Sequence, residues 1–525
     1  MDRKIAFMKG RARLIGRSIE WAIVIAIAFL AIQQGIHLRT WAYAESGKNG
    51  LRFHGDIDHA WEIGTDVLAI ARDGIRPGQP VPLGKMLRSY LLLYDVALVE
   101  NPDGDYDVDY PPARLLIMSF WAWSHTDTQG RPAGAPEDID EPLLDVNTIF
   151  ELAGAIMAFA LVRLVLRREG FRHAELPALA AGLLLWFDPA LILNAHVWPQ
   201  WEAWVIPFFL LAAYLGLIRQ WLAAGICLGF GSMFKGQLLL TMPFFLLWPL
   251  FQMRWKAVLQ LVLGILFGGM LYVWPWMLMT GPAKIFFFIA LQLIVATMWF
   301  IPRRWRTEWF FGSLGLWVLA AGLFLGGSFG WWWVGFEYGT RHHLAMTMGP
   351  VENLASICAD HFNWQLTDDA LRIHSKMLHA DWTIPIRAVL VAIYAIMLVL
   401  CSMAMAVQDA RKSRRVLLAL ATPWILLFAF MPQMHDRYLV WGAALTALAA
   451  GVSLGSSLLH FVVTFLAFLP MGFNLIYANR LRPEFPAWQR FFSAACDSCG
   501  EVTVLVALMF LCLAWGATRS PSGRG

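Results

Sequence analysis

Apolar runs follow one another from Trp21 to Trp515, most of them near the ~20 residues that an α-helix needs to cross a bilayer. Their loops are mostly short and charged. Few folds accommodate such a chain. In hydrocarbon every backbone polar group must be satisfied within the segment, so a bundle of helices is the solution that successive runs of this length allow. Composition agrees: 58% of the 525 residues are hydrophobic and 15% charged, where a soluble domain carries about 25%. The pattern predicts an all-α polytopic membrane protein with about 14 spans. It forms a single unit over residues 1–525, interrupted by two large loops at 37–146 and 330–385.

The expected spans after the first are 147–166, 176–193, 203–218, 221–235, 237–252, 257–279, 284–302, 309–329, 386–406, 416–432, 438–458, 461–478 and 500–516. Arg114–Trp123 is apolar but short, and is read as a helix lying at the interface, where tryptophans are at home. That choice fixes the parity of everything downstream. It puts Arg3–Arg17, Arg167–Arg172, Arg254–Lys256, Arg303–Arg306, Arg411–Arg415 and the tail arginines on one side, which the positive-inside rule makes cytoplasmic. The amino terminus is then cytoplasmic, with an uncleaved first helix in place of a secretory signal. The loop 37–146, which holds about half of the chain's 37 acids, is exoplasmic.

Several chemistries fit poorly. The six cysteines lie mostly in apolar runs and make no disulfide framework, and Cys496-Asp497-Ser498-Cys499 lacks the βαβ context of a redox motif. HExxH and Walker A patterns do not occur. Basic residues do not interleave with aromatics on a polar face, so nucleic acid is not an expected partner. Zinc and nucleotide-triphosphate hydrolysis are poor fits, and no cofactor is expected.

The outer side instead collects groups suited to a polar, anionic ligand at the lipid surface. His54-Gly55-Asp56-Ile57-Asp58-His59-Ala60-Trp61-Glu62 opens the first loop. Asp56 is either a solvated loop acid or the base that takes a proton from a hydroxyl nucleophile. Asp58, His59 and Glu62 crowd it with further titratable groups, and adjacent carboxylates favour proton uptake, the property a base needs. Asp56-Ile57-Asp58 also has the look of a metal-binding DxD. In Asp109-Tyr110-Pro111-Pro112 the prolines hold Tyr110 extended and set the start of the next helix; ligand contact is the other reading. His196 and Gln200 either cap helix ends or face a polar head. Trp198, Trp201 and Trp204 read as an interfacial belt. Lys235, His435 and Arg437 sit at outer helix ends, where a cation either snorkels to headgroups or holds a phosphate. The pair His342-His343 beside Arg341 is too adjacent to favour one metal ion, and Trp331-Trp332-Trp333 reads as an anchor.

Taken in order, these segments resemble the dolichyl-phosphate-glucose-dependent glucosyltransferases of N-glycan precursor assembly. Residues 54–63 look like their GD(F/Y)EAQRHWMEIT stretch, Asp109–Pro112 like DYPPLTAY, and Asp188 to Gln200 like the segment ending DHGHFQYN. Phe234-Lys235-Gly236-Gln237 is similar to FKQ, and Met434-His435-Asp436-Arg437 to VHEK. The resemblance spans residues 54–437, with Asn194 in place of the first acid of DHGHFQ, a glycine inserted in FKQ, and HDR for HEK. It implies a GT-C fold and inverting, metal-independent transfer of a hexose, glucose favoured, from a polyprenyl-phosphate donor to a hydroxyl of a lipid-linked or other exoplasmic acceptor. Asp56 becomes the general base. Lys235, His435 and Arg437 would meet the donor phosphate, with His196, Gln200, Asp58, Glu62, Asp109 and Tyr110 in the same cleft. The membrane would be the bacterial inner membrane, or the endoplasmic reticulum in a eukaryote. The alternatives are a mannosyl- or arabinosyl-type enzyme of the same fold, or a lipid-linked-saccharide flippase, although no internal repeat of the transporter kind is evident.

Overall fold

The computed structural model describes residues 2–53, 55–76, 78–100, 108, 110–126, 136–337, 345–348, 351–375, 380–478, 486–496 and 499–516. Asp109, His54 and the Arg341–His343 segment lie outside the described residues.

The architecture is helical. Among the described residues, seven helices are long and apolar enough to cross a membrane: Ser18–Lys48, Pro142–Glu169, Glu175–Val197, Trp255–Met277, Arg303–Leu325, Ile386–Ala410 and Leu454–Ile476. Six shorter apolar helices, of 10–17 residues, pack among them. The chain is a multi-pass α-helical membrane protein.

The first helix, α1 (Asp2–Lys48), runs well past its apolar core. The loop that follows holds three helices. These are α2 (Gly55–Arg72), α3 (Leu83–Glu100) and α4 (Pro112–His125). α2 is amphipathic, burying Ile57, Ala60, Ile63, Gly64, Val67, Leu68 and Ala71 along one face. Gly64 makes that contact close, because a Cβ there would fall 2.9 Å from the Ala122 methyl of α4. Pro111 caps α4 in extended geometry and Pro112 takes its first turn, as the sequence anticipates. α4 is 14 residues long, too short to span, and its Arg114, Leu115, Met118, Trp121 and Ala122 are buried.

The long helix α5 (Pro136–Glu169) sets the axis of the bundle, and α6 (Glu175–Trp186) returns alongside it. Gly225 and Gly229 of helix Trp221–Ser232 meet Gly264 and Gly268 of helix Trp255–Met277. A Cβ on Gly229 would overlap the Ile265 carbonyl oxygen. Small residues four apart let the two backbones touch, which explains how a 12-residue helix is held between longer neighbours.

The expected span 438–458 is discontinuous. Leu439–Thr446 is α-helical, Ala447–Gly451 is 3₁₀, and a 25-residue helix then starts at Leu454, not at 461. The run is uniformly apolar, so hydropathy alone does not reveal the break at Val452-Ser453. Ser453 and Ser456 hydrogen-bond each other's backbone amides across it at 3.1 Å. The loop 330–385 carries β1 (Thr347–Met348), the helix Leu354–Phe362 and an antiparallel hairpin of β2 (Asp369–Ser375) and β3 (Ala380–Pro385). β1 pairs in parallel with β4 (Met434–His435), placing Met348 against His435.

The two ends of the bundle are chemically distinct. At the carboxyl end of α5, Arg168 binds Asp409 at 3.1 Å and Arg219 binds it at 2.8 Å, while Arg414 approaches Glu169. The basic loops therefore gather at one end, as their common parity requires. At the amino end of α5, Asn147 hydrogen-bonds Ala195 O and Trp204 Nε1. The acid-bearing segments assemble there.

Candidate functional site

Asp56 is the second residue of α2, where the unsatisfied amides of the first turn favour an anion. Its Oδ2 accepts hydrogen bonds from Trp198 Nε1, at 2.9 Å, and from Gln200 Nε2. Arg437 Nη1 stands 3.5 Å from the same oxygen. Its side chain keeps 29% exposure, so the carboxylate is oriented from one side and open on the other.

Behind it lies a second carboxylate that is fully buried. Glu202 accepts from Lys235 Nζ at 2.8 Å, and Arg437 Nε lies 3.5 Å from its Oε1. Arg437 thus bridges two acids, one open and one closed. Its Nη1 also donates to His435 Nε2 at 3.0 Å. A guanidinium cannot accept, so Nε2 carries the lone pair and Nδ1–H faces the Asp436 carboxylate. Asn474 holds the other Asp436 oxygen at 2.9 Å. Lys235 sits over the Tyr438 ring, 5.1 Å from its centroid. Buried Arg114 stacks between Tyr110, at 3.7 Å, and Trp201, at 4.4 Å.

The electrostatics follow from burial and company. Buried Glu202 is matched by Lys235 at 2.8 Å and by Arg437 at 3.5 Å, with Arg114 adding to the positive field. Burial pushes the Lys235 ammonium down to about 8, against the pull of Glu202. Burial also disfavours the Arg437 guanidinium, yet Glu202 and Asp56 more than offset it and move the group upward. Three cations, Lys235, Arg437 and Arg114, thus meet three carboxylates, Asp56, Glu202 and Asp436, in a largely dehydrated cluster.

The sequence-derived residues divide cleanly. Asp56, Gln200, Lys235, His435 and Arg437 come together from four distant segments. Tyr110 is near them through Arg114, and its carbonyl accepts from Tyr94 Oη at 2.5 Å. Asp58 and Glu62 do not join. Two residues along a helix is a turn of about 200°, so Asp58 is exposed on the far side of α2, and Glu62, also exposed, stands 3.9 Å from His59. The expected crowding of Asp56 by neighbouring acids does not form, and the DxD-like pair cannot converge on one ion. Among the described residues no group of three His, Cys, Asp or Glu side chains has a metal-ligand arrangement. His196 is buried and pairs with Glu151 at 3.2 Å, away from the Asp56 contacts. Trp198, Trp201 and Trp204 are not an interfacial belt; all three are buried, and Trp198 is part of the site.

Sequence reasoning missed Glu202, Arg114 and Asp436. The signal was present: Glu202 interrupts the run Trp201–Leu217, and an ionisable group in an apolar segment is a functional candidate by default.

Fold and site together define a multi-pass helical membrane protein with a buried cluster of paired charges and one open carboxylate at the end of the bundle opposite its basic loops. No protein-family model and no curated protein matches this chain.

Proposed function

We propose that the chain is a GT-C-type glycosyltransferase that moves a hexose from a polyprenyl-phosphate carrier to a hydroxyl acceptor at the exoplasmic face. The observation that carries this reading is the convergence at one place of an open carboxylate, Asp56, with Arg437, Lys235 and His435. The leaving group of such a reaction is a lipid phosphate, and fixed cations in a dehydrated site stabilise the charge that develops on it. Asp56 Oδ2 is held by Trp198 and Gln200, which leaves Oδ1 to take the acceptor's proton. One base then suffices for in-line displacement with inversion. Glu202 is not the base, since it is buried and engaged by Lys235.

The seven long helices and six shorter apolar ones among the described residues supply the multi-pass helical frame that this reading needs. The basic loops mark the cytoplasmic side by the positive-inside rule, so the site faces out. Glucose is the favoured sugar by resemblance alone.

The test is turnover by purified protein in lipid nanodiscs, with polyprenyl-phosphate-glucose and -mannose each offered candidate hydroxyl acceptors. Transfer from either supports the reading and names the sugar. Transport of a lipid-linked saccharide across vesicles without transfer from either donor would instead make it a flippase.

A further inference from the structure

Residues 193–197 form a π-helical turn directly ahead of Trp198 and Gln200. Such widened turns are rare, and they need outside support because they loosen the helical ladder. Support comes from one face of α5. Asn147 Nδ2 donates to Ala195 O at 2.9 Å, and four residues on, Glu151 Oε2 lies 3.2 Å from His196 Nε2. Glu151 is fully buried in the longest apolar stretch of α5, where an ionised carboxylate is costly unless matched. Arg39 of α1 matches it through Nε. Arg39 is itself fixed by Gly35 O at 2.9 Å, by Trp186 O at 2.8 Å, and by stacking 3.6 Å above the Trp186 ring. The turn also reaches the segment leading to the open acid, since Phe53 N donates to Val197 O at 3.3 Å.

Resting on the transferase reading, we infer that Glu151 is a positioning residue for Asp56. With Arg39 behind it and His196 in front, it pins the π-turn whose next residues, Trp198 and Gln200, aim the Asp56 carboxylate. No contact joins Glu151 to Lys235, Arg437 or His435, so the phosphate-binding half of the site is independent of it. A displacement of about 1 Å at a reacting group is worth ~10²-fold in rate.

The experiment uses E151Q, Q200L and the double variant in the full-length protein, with kcat and donor KM measured after each is isolated monodisperse. E151Q is expected to lower kcat by ~10–100-fold and to leave donor KM within about 3-fold, because uniform binding is untouched. E151D, which keeps the charge for Arg39 and falls short of His196, is expected to give the same split. The double variant is expected to be no slower than the slower single, since both act through the orientation of one carboxylate. Hydrogen exchange supplies a readout free of activity: the amides of 193–198 and Gln200 should exchange faster in E151Q while those of the helix Ile206–Leu217 stay as they are. A wild-type kcat, a KM effect in place of a kcat effect, multiplicative losses in the double variant, or unaltered exchange at 193–200 would each overturn the assignment. A wild-type protein that transfers no hexose would overturn the transferase reading, and the exchange result would still decide whether Glu151 pins the turn.

Discussion

Asp56→Asn separates chemistry from architecture more cleanly than any other substitution in this protein. The side chains are isosteric, and Oδ2 now accepts from Trp198 and Gln200. Asparagine has only one acceptor oxygen, so two incoming N–H donors force that oxygen to the inner position. The amide NH₂ then occupies the outer position, where the acceptor hydroxyl must lose its proton. The variant keeps its anchoring and presents a donor in place of a base. Base assistance is worth about 10²–10⁴ in rate, which corresponds to about 3–5 kcal/mol of barrier. The fold should lose less, because Arg437 keeps Glu202 at 3.5 Å and the Trp198 and Gln200 contacts are retained. Single-turnover transfer from a radiolabelled polyprenyl-phosphate hexose, with size-exclusion and thermal stability in parallel, measures both. A D56N rate within about 3-fold of wild type, far inside the range base assistance commands, would refute the assignment of Asp56 as base.

Further outcomes follow from the same geometry. K235M removes the hydrogen-bonded one of the cations on buried Glu202 and should cost up to about 3–5 kcal/mol of stability; K235M/E202Q should recover most of it in a thermal-shift assay, yet bind polyprenyl phosphate poorly. Because burial sets Lys235 at about 8, its charge is present below that pH and is lost as pH rises through it. The kcat/KM for the donor should therefore decline above pH ~8, and a flat profile to pH 10 would rule out a role for Lys235 in holding phosphate. D409A removes the shared partner of Arg168 and Arg219 at the other end of the bundle; since those arginines are partly exposed, the loss should be about 1–3 kcal/mol, seen as a lower Tm with donor KM unchanged. G229L drives a side chain into the Ile265 carbonyl, and should abolish stable folding or part the two helices, read by monodispersity in detergent.

Much of this molecule is legible from residue order because lipid makes length and charge informative. The apolar runs foretell helices, the common parity of the basic loops foretells that they gather, and the two prolines at 111 and 112 mark where α4 begins. The breaks are harder to read. Leu439–Ala478 is apolar almost throughout, so the discontinuity at Val452-Ser453 is written in local hydroxyl-to-amide bonds. Asp56 with Lys235 and Arg437 was recoverable because charges at helix ends stand out against apolar neighbours. Glu202 stood out against its apolar run in the same way and was passed over, while Glu151 was not recoverable, since its meaning lies in a partner 112 residues away. Asp58 and Glu62 misled for a geometric reason: adjacency in a loop becomes opposition once the loop is a helix. The glycine pairs 225/229 and 264/268 carried the spacing of a close helix contact in plain view.

The anomeric configuration of the first product most directly tests the central claim of a single carboxylate acting beside a phosphate cradle. NMR of the glycoside formed from a donor of known anomeric form, with purified protein and no other enzyme, gives the answer. One base and in-line displacement require inversion. A product retaining the donor's configuration would demand a second covalent step that this site does not provide, and would contradict the account.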